Sequence, residues 1–275
     1  MLEAVKSRMK VSNKLWGNEV YFVHFIIFHG LYHRLMSVYR PIHIEEDYEA
    51  WALYGKTQHR WLFNKMEVAL RQGLHTGPAG SVPEMNGTYI HRPTYNLYGM
   101  GVKAEKFFYH ADEDFDAMIN YGLVPPGNFW CEWLNGDHLS IDYRRTWFNS
   151  WDVSAVWKGV QDDTSSLTRF SHWERLKNDA APSHLDLSLA IEAFRDSQVF
   201  GINIEMIGKH IIEVHLRLGN SPFDDLPVGS RIIPVWNDEE APEGEWRGNL
   251  FQDMTKYAAG GHLDHVRRGF VIQRL

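Results

Sequence analysis

The chain has a single cysteine, Cys131, in 275 residues. A disulfide framework within the chain is therefore excluded, and a reducing, cytoplasmic setting is expected. There is no excess of positive charge. Against 28 Lys and Arg stand 35 Asp and Glu, a net charge of −7, so the overall charge gives no support to a nucleic-acid scaffold. Long apolar runs are also missing. "VYFVHFIIFHGLY", residues 20–32, is too short to span a bilayer and is interrupted by His24 and His29. It has no small-residue cleavage site and is not read as a signal peptide. No internal repeat and no low-complexity tract is present. Despite 15 histidines, there is no H-E-x-x-H, no cysteine cluster and no G-x-S-x-G elbow. "HLDH", 262–265, is the nearest thing to a histidine ligand pair and reads more simply as a surface turn.

What remains is an ordinary globular composition, 44% hydrophobic and 23% charged, with 11 Trp, 12 Tyr and 15 Phe for an aromatic-rich core. The length suits one large domain or two small lobes. "NKMEVALRQGLHTGP" predicts a helix capped by Asn64, with Glu67 three residues on, ending by Gly73 and Pro78. "GTYIHRP" predicts a strand, "TYNLYGMG" a Gly-containing loop, and "EDFDAMINYG" a helix stopping at Gly122. "NFWCEWL" and "DHLSIDY", joined by the turn signal Asn135-Gly136, predict strand, turn and strand. Residues 150–183 are polar and give few elements. "SHLDLSLAIEAFRDSQV" predicts a helix with Ser183 as N-cap. "GSRIIPVW" and "RRGFVIQRL" predict late strands, and the acidic "NDEEAPEGE", 237–245, a solvated loop. Helices alternating with antiparallel hairpins predict an α+β protein.

One stretch poses a chemical question. "GINIEMIGKHIIEVHLR", from Gly201, predicts a hairpin with one glutamate in each oily strand, Glu205 and Glu213. A buried carboxylate costs several kcal/mol unless it is paired or bound to metal. Salt bridges to Lys or Arg are the plain alternative; two converging carboxylates also suit a hard cation such as Mg²⁺. The two readings differ in geometry. A strict two-residue "GK" turn places Glu205 opposite Ile212, so the carboxylates point to opposite faces. A three-residue loop or a bulge places Glu205 opposite Glu213.

The strings "GINIE" and "IIEVHLR" resemble the last catalytic hairpin of the ATP-grasp superfamily, of the carbamoyl-phosphate synthetase and biotin carboxylase type. The resemblance covers about residues 56–235. It implies an α+β fold of two lobes whose antiparallel sheets sandwich the nucleotide. Residues 1–55 would be a reduced N-terminal, substrate-side lobe and 56–275 the ATP-grasp domain. Within the latter, about 75–135 would cover the nucleotide and about 136–275 would form the catalytic sheet. By resemblance Glu205, Glu213 and His215 hold Mg²⁺ between the ATP phosphates. His215 stands where the family has Asn, a departure that implies a hydrogen bond to phosphate, a preference for Mn²⁺ or a softer ion, or a degenerate site. Arg217 contacts the transferring phosphate. In "YIHRPTYNLYGMG", Arg92 reaches phosphate and the purine edge, and backbone around Tyr98, Gly99 and Gly101 cradles phosphate. In "FWCEWLNGDHLSID", Cys131, Glu132, Trp133 and Leu134 fall at adenine positions and Asp137 or His138 at the ribose. Lys65, with Lys56 as competitor, is the first ATP-contacting lysine.

The implied activity is an ATP-dependent carboxylate–amine ligase, taking small carboxylate and amine substrates or a peptide through an acyl-phosphate, with ADP released. No membrane or nucleic-acid partner is expected. The alternatives are an ATP-binding protein that has lost catalysis and an unrelated metal-binding globular protein. Arg144 and Arg145 are further candidates for an acidic substrate.

Overall fold

The computed structural model describes residues 47–54, 58–95, 104–119, 122–146, 150–162, 167, 169–181, 187–196, 198–219, 223, 225–236, 240–248 and 267–274. Twelve strands dominate the described chain, arranged as two sheets. The smaller is built from β1 (Thr76–Pro78), β2 (Gly87–Pro93), β3 (Glu105–Tyr109) and β4 (Asn128–Glu132), in the order β1-β4-β2-β3. The larger contains β5 (His138–Arg145), β6 (Trp151–Gln161), β7 (Phe170–Leu176), β8 (Gly201–Ile207), β9 (His210–His215), β10 (Arg231–Trp236), β11 (Glu245–Gly248) and β12 (Arg267–Gln273). Its order is β11-β12-β10-β7-β6-β5-β8-β9. Every described pairing is antiparallel. Among the described residues four short helices accompany the sheets: α1 (Asp47–Tyr54), α2 (Lys65–Arg71), α3 (Ala111–Ile119) and α4 (Ile191–Arg195). The α+β expectation holds. None of the described helices is long and apolar enough to cross a membrane.

α2 starts where the sequence predicts. The Asn64 side chain accepts from the Glu67 backbone N–H at 3.0 Å, satisfying one orphan donor of the first turn. The helix stops at Gly73, which takes a φ of +71°. Val68 packs with Leu62, Ile204, Met206 and Ile211 in the main core, while Ala69 and Met66 pack with Phe129, Cys131 and Ile90 of the small sheet. One helix is thus wedged against both sheets.

Two expectations are corrected. Asn135-Gly136 does not close a hairpin, because β4 and β5 lie in different sheets. It is the crossover between them. Gly136 has a φ of +129°, and a Cβ there would sit 2.6 Å from the Cα of Gly208, so glycine serves a close backbone approach rather than a tight turn. The polar stretch 150–183 is not poor in elements either. It holds β6 and β7, the middle of the large sheet, with Trp157 fully buried. The helix expected near 183–199 is a 3₁₀ turn, Leu187–Ala190, leading into α4; Ser183 lies outside the described residues.

Period-2 alternation sorts the large sheet into two faces. Ile141, Tyr143, Val156, Ile202, Ile204, Met206, Val214 and Leu216 share a core with Ala50, Tyr54, Leu62, Phe63 and Phe194. The opposite face of β5, β8 and β9 is polar and carries His138, Ser140, Asp142, Asn203, Glu205, Glu213 and His215. β9 is the sheet edge there. Unpaired edge strands invite unwanted pairing, and side chains occupy this one. Gln72, which caps the end of α2, donates to the Ile211 carbonyl at 2.7 Å and accepts from its N–H at 2.8 Å. Arg92 of β2 donates to the Ile212 carbonyl at 3.0 Å.

Candidate active site

The β8–β9 hairpin has a two-residue turn, Gly208-Lys209, with Ile207 opposite His210 and Met206 opposite Ile211. The register then shifts, and Glu205 lies opposite Glu213. Ile212 is the extra residue, so the carboxylates share one face through a bulge rather than a longer loop. The bulged Ile212 carbonyl is the one that Arg92 takes. Arg92 also lies over the Phe129 ring at 5.3 Å, and its Nε is buried with no hydrogen-bond partner among the described residues.

Around the carboxylates the structure gathers charge from four elements. Lys65, the first residue of α2, is not a solvated helix-surface lysine: it is 5% exposed, and its Nζ lies 2.8 Å from Glu213 Oε1. His138 at the start of β5 places Nε2 3.3 Å from Glu205 Oε2, its ring edge-on to Phe170 and Trp173. His215 follows Glu213 on the same face of β9. Its Nε2 lies 3.8 Å from both Glu205 Oε1 and Glu213 Oε1, beyond hydrogen-bond length, and makes no hydrogen bond among the described residues.

Asp47 completes the site. Its carboxylate binds His215 Nδ1 at 2.7 Å through Oδ2, and Arg217 at 3.0 and 3.2 Å through both oxygens. Sequence reasoning missed it, since 168 residues separate Asp47 from His215 and the only local signal was an acid beginning an apolar helix. Burial alone would raise the Asp47 pKa, but the charges of Arg217 and His215 outweigh it and hold the group at about 2. Burial would lower the His215 pKa; the charges of Asp47 and Glu213 prevail and raise it to about 10. Glu205 is held well below the usual carboxylate range, with the imidazoles of His138 and His215 outweighing its burial. Asp47, Glu213 and His215 each offer a ligand atom within 4.8 Å of the others.

A buried polar layer continues the face away from the carboxylates. Asn203 Nδ2 donates to Ser140 Oγ at 2.8 Å and Asp142 Oδ1 at 2.9 Å, and Asp142 Oδ1 also accepts from the Gly219 N–H at 2.7 Å. This ties down the segment after β9 that carries Arg217. The alternating polar residues of "HLSID" were the available signal for it.

The other candidates fall in two groups. Glu132, Trp133 and Leu134 lie at the end of β4, apart from the carboxylates in the bonding pattern. Glu132 Oε1 accepts from the His75 N–H at 2.7 Å, Lys106 Nζ lies over the Trp133 ring at 4.2 Å, and Leu134 packs against the cluster of Ala69, Leu74, Phe129 and Cys131. Gly99, Gly101, Tyr98, Lys56 and the "HLDH" stretch lie outside the described residues. Arg145 is committed elsewhere. Its guanidinium donates to the carbonyls of Val199 and Phe194 at 2.8 Å each and to that of Asp196, closing the end of α4.

No family model matches the chain, and no curated protein matches it in sequence. Solved structures do resemble it. An L-amino acid ligase from Bacillus licheniformis is 9% identical, over 82% of this chain and 71% of that one, with a TM-score of 0.49. N5-carboxyaminoimidazole ribonucleotide synthetase from Thermus thermophilus is 11% identical over 78% and 68%, with a TM-score of 0.48. N5-carboxyaminoimidazole synthetase from Staphylococcus aureus, complexed with ADP, is 10% identical over 78% and 68%, with a TM-score of 0.44. At this depth the side chains, not the likeness, have to carry the chemistry.

Proposed function

We propose that the chain is an ATP-dependent ligase of the ATP-grasp kind, joining a carboxylate to an amine with release of ADP. The single observation that carries this reading is the bulge at Ile212, which turns Glu205 and Glu213 onto one face beside Lys65, His215 and Arg217. A plain hairpin would have separated the two acids. Glu205 and Glu213 suit a divalent cation, and His215 would join them only on losing the proton that Asp47 and Glu213 hold on it. Glu205, Glu213 and His215 would hold it. When bound, it supplies charge neutralisation across the ATP phosphates.

The remaining roles belong to the chain. Lys65 and Arg217 supply fixed positive charge, and Asp47 holds the Arg217 guanidinium in one orientation before any substrate arrives. Arg92 fixes the bulge and would add positive charge near the phosphates. His138 keeps Glu205 ionised. Phosphoryl transfer asks mainly for positioning and electrostatic stabilisation, which is what such an array provides. In this reading the small sheet covers the nucleotide, with Glu132, Trp133, Leu134 and Cys131 along the adenine. The substrate-side lobe expected over residues 1–55 lies, except for 47–54, outside the described residues.

ADP release measured against a panel of amino acids, other small carboxylates and short peptides tests the proposal. At least one acid and amine pair should stimulate ADP formation, and Glu213→Ala should lower it by two orders of magnitude or more, on the order of the loss from removing one electrostatic stabiliser. Equal turnover by the variant would remove the assigned site. One observation favours a non-catalytic nucleotide binder instead: Lys65 and Arg217 already have carboxylate partners. Stabilisation by ATP and metal with no ADP from any substrate pair would establish that second reading.

A further inference from the structure

The middle of the large sheet carries a row of residues that the proposed phosphoryl transfer does not use. His138 of β5 lies opposite Gly159 of β6, and Gly159 opposite Trp173 of β7, so the three share one face. It is the face that bears Glu205, which lies opposite Ser140, two residues on from His138. Side chains on β5 and β7 start two strand spacings apart, roughly 10 Å. The glycine between them has no side chain, and the two rings lean over it until their centroids are 5.4 Å apart. Phe170 joins them, 5.2 Å from His138 and 4.5 Å from Trp173. A Cβ on Gly159 would sit 2.8 Å from the Phe170 ring and 3.0 Å from that of Trp173. Glycine inside a strand weakens it and marks a place of close approach.

Position decides what these rings can do. Elsewhere on the same face Ala155, Trp157, Ile232, Phe270 and Ile272 are buried in a cluster with Phe223 and Leu226, whereas Phe170 and Trp173 are only half-buried. The His138 ring reaches from them to Glu205 Oε2 at 3.3 Å. The uncovered aromatic surface therefore begins one imidazole away from the paired glutamates. Lys65 and Arg92 come from the other side, along the β9 edge. The cations next to Gly159 and Phe170 in sequence, Lys158 and Arg169, are engaged by Asp137 and Asp162 at 2.8 Å each.

We infer that Phe170 and Trp173, with Gly159 making room for them, form a specificity wall that selects a substrate with a large apolar side chain. This rests on the ligase reading for the reaction and adds the class of one of its two substrates. The nucleotide lies on the β9 side with Lys65 and Arg92. The acid or amine lies on the β7 side, its reacting end towards Glu205 and its side chain on the rings. Covering half-exposed rings with apolar surface is favourable. A carboxylate or amide placed there would give up water for ring carbons.

The test uses the full chain with ATP and Mg²⁺. ADP release is measured with L-alanine, L-leucine, L-phenylalanine, L-glutamate and L-lysine, and the affinity for a non-hydrolysable ATP analogue is measured alongside. kcat/KM for L-phenylalanine should exceed that for L-alanine by about 10–100-fold, mainly through KM. Trp173→Ala should bring the two within about threefold of each other, while Trp173→Phe keeps most of the preference. Should Trp173→Ala fail to fold, Phe170→Leu decides, and it should move the preference from L-phenylalanine to L-leucine. Parity between L-phenylalanine and L-alanine in the parent, or a preference for L-glutamate or L-lysine, overturns the inference. So does a Trp173→Ala variant that loses affinity for the ATP analogue with its substrate preference unchanged, which would assign the rings to the nucleotide. ADP release without preference leaves the ligase proposal standing and sinks the wall. No ADP from any amino acid sinks the ligase proposal, and saturation-transfer NMR then judges the wall alone. L-phenylalanine bound through its ring by the parent and not by Trp173→Ala keeps it; no binding to the parent overturns it.

Discussion

Two ion pairs start from the first turn of α2, two residues apart. Lys65 meets Glu213, and Glu67 meets Arg71, each at 2.8 Å. Distance does not tell them apart; surroundings do. The Lys65 and Glu213 side chains are 5% and 15% exposed, whereas Arg71 and Glu67 are 48% and 36% exposed. The first pair is desolvated and spans from helix to sheet edge. The second lies along one helix face in water. Coulomb attraction, desolvation and side-chain entropy weigh differently in the two settings, so the same contact does different work.

The largest effect is expected from breaking the desolvated pair on one side. Glu213→Gln leaves the Lys65 ammonium buried without its carboxylate, and chemical denaturation should show a loss of about 3–5 kcal/mol. The double variant Lys65→Met with Glu213→Gln should regain most of that, because a buried pair replaced by neutral side chains of similar volume is often nearly neutral. A double variant as unstable as the single one would mean that Glu213 is held by something other than Lys65. Activity should stay lost in both, which separates the stabilising role of the pair from its role in the proposed site.

Next in size is a pH effect on the neighbouring Asp47–His215–Arg217 cluster. His215 is raised in the folded chain to about 10 from an ordinary 6.5. Its contribution to stability is therefore complete below about pH 6.5 and lost as pH rises towards 10, since over that window the folded state binds the extra proton. Asp47 is lowered to about 2 from 3.8. Its contribution is complete above about pH 4 and lost as pH falls through 2. Melting temperature against pH should fall on both sides, and Asp47→Asn should flatten both limbs. An unchanged alkaline limb in that variant would assign the effect to another group.

How much of this was legible before any coordinates is uneven, and the reasons are physical. The α2 cap was readable because capping is local: Asn64 and Glu67 are three residues apart. The facing glutamates were readable as a conditional statement, because strand geometry puts them on one face or on opposite faces, and sharing a face required a three-residue loop or a bulge. β6 and β7 were missed because central strands covered on both faces lose the alternation that marks an exposed sheet. Ala155, Val156 and Trp157 are buried in succession. Asn135-Gly136 misled because its glycine answers a contact with Gly208, a feature of tertiary packing that resembles turn chemistry in sequence. Asp47 was out of reach for the same reason that it matters, as its partners come from the far end of the chain.

A smaller effect is expected at Glu205. It is 27% exposed and faced by imidazoles rather than by a fixed ammonium. Glu205→Gln keeps shape and hydrogen-bonding capacity, so a stability loss of about 1–2 kcal/mol is expected in the same denaturation assay, below that of Glu213→Gln. Its effect on ADP formation should match that of Glu213→Gln if both acids hold one ion. Unequal activity losses would argue that Glu213 acts through Lys65 rather than through a shared cation.

The smallest effect belongs to the exposed pair and tests the comparison from the other end. Glu67→Ala removes the partner of Arg71, but the Glu67 backbone N–H that Asn64 caps is untouched. Arg71 also lies over the Trp61 ring at 4.0 Å, so its side chain keeps a resting place after the carboxylate is gone. Alanine is in addition the better helix former. The expected change is about 0.3–0.5 kcal/mol or less, and smaller still at high salt, where exposed charges are screened. A loss as large as that of Glu213→Gln would show that the first turn of α2 is held to the sheet by the sum of its charges. A negligible loss assigns the anchoring of α2 to Lys65, Val68 and Gln72, the residues that reach across to β8 and β9.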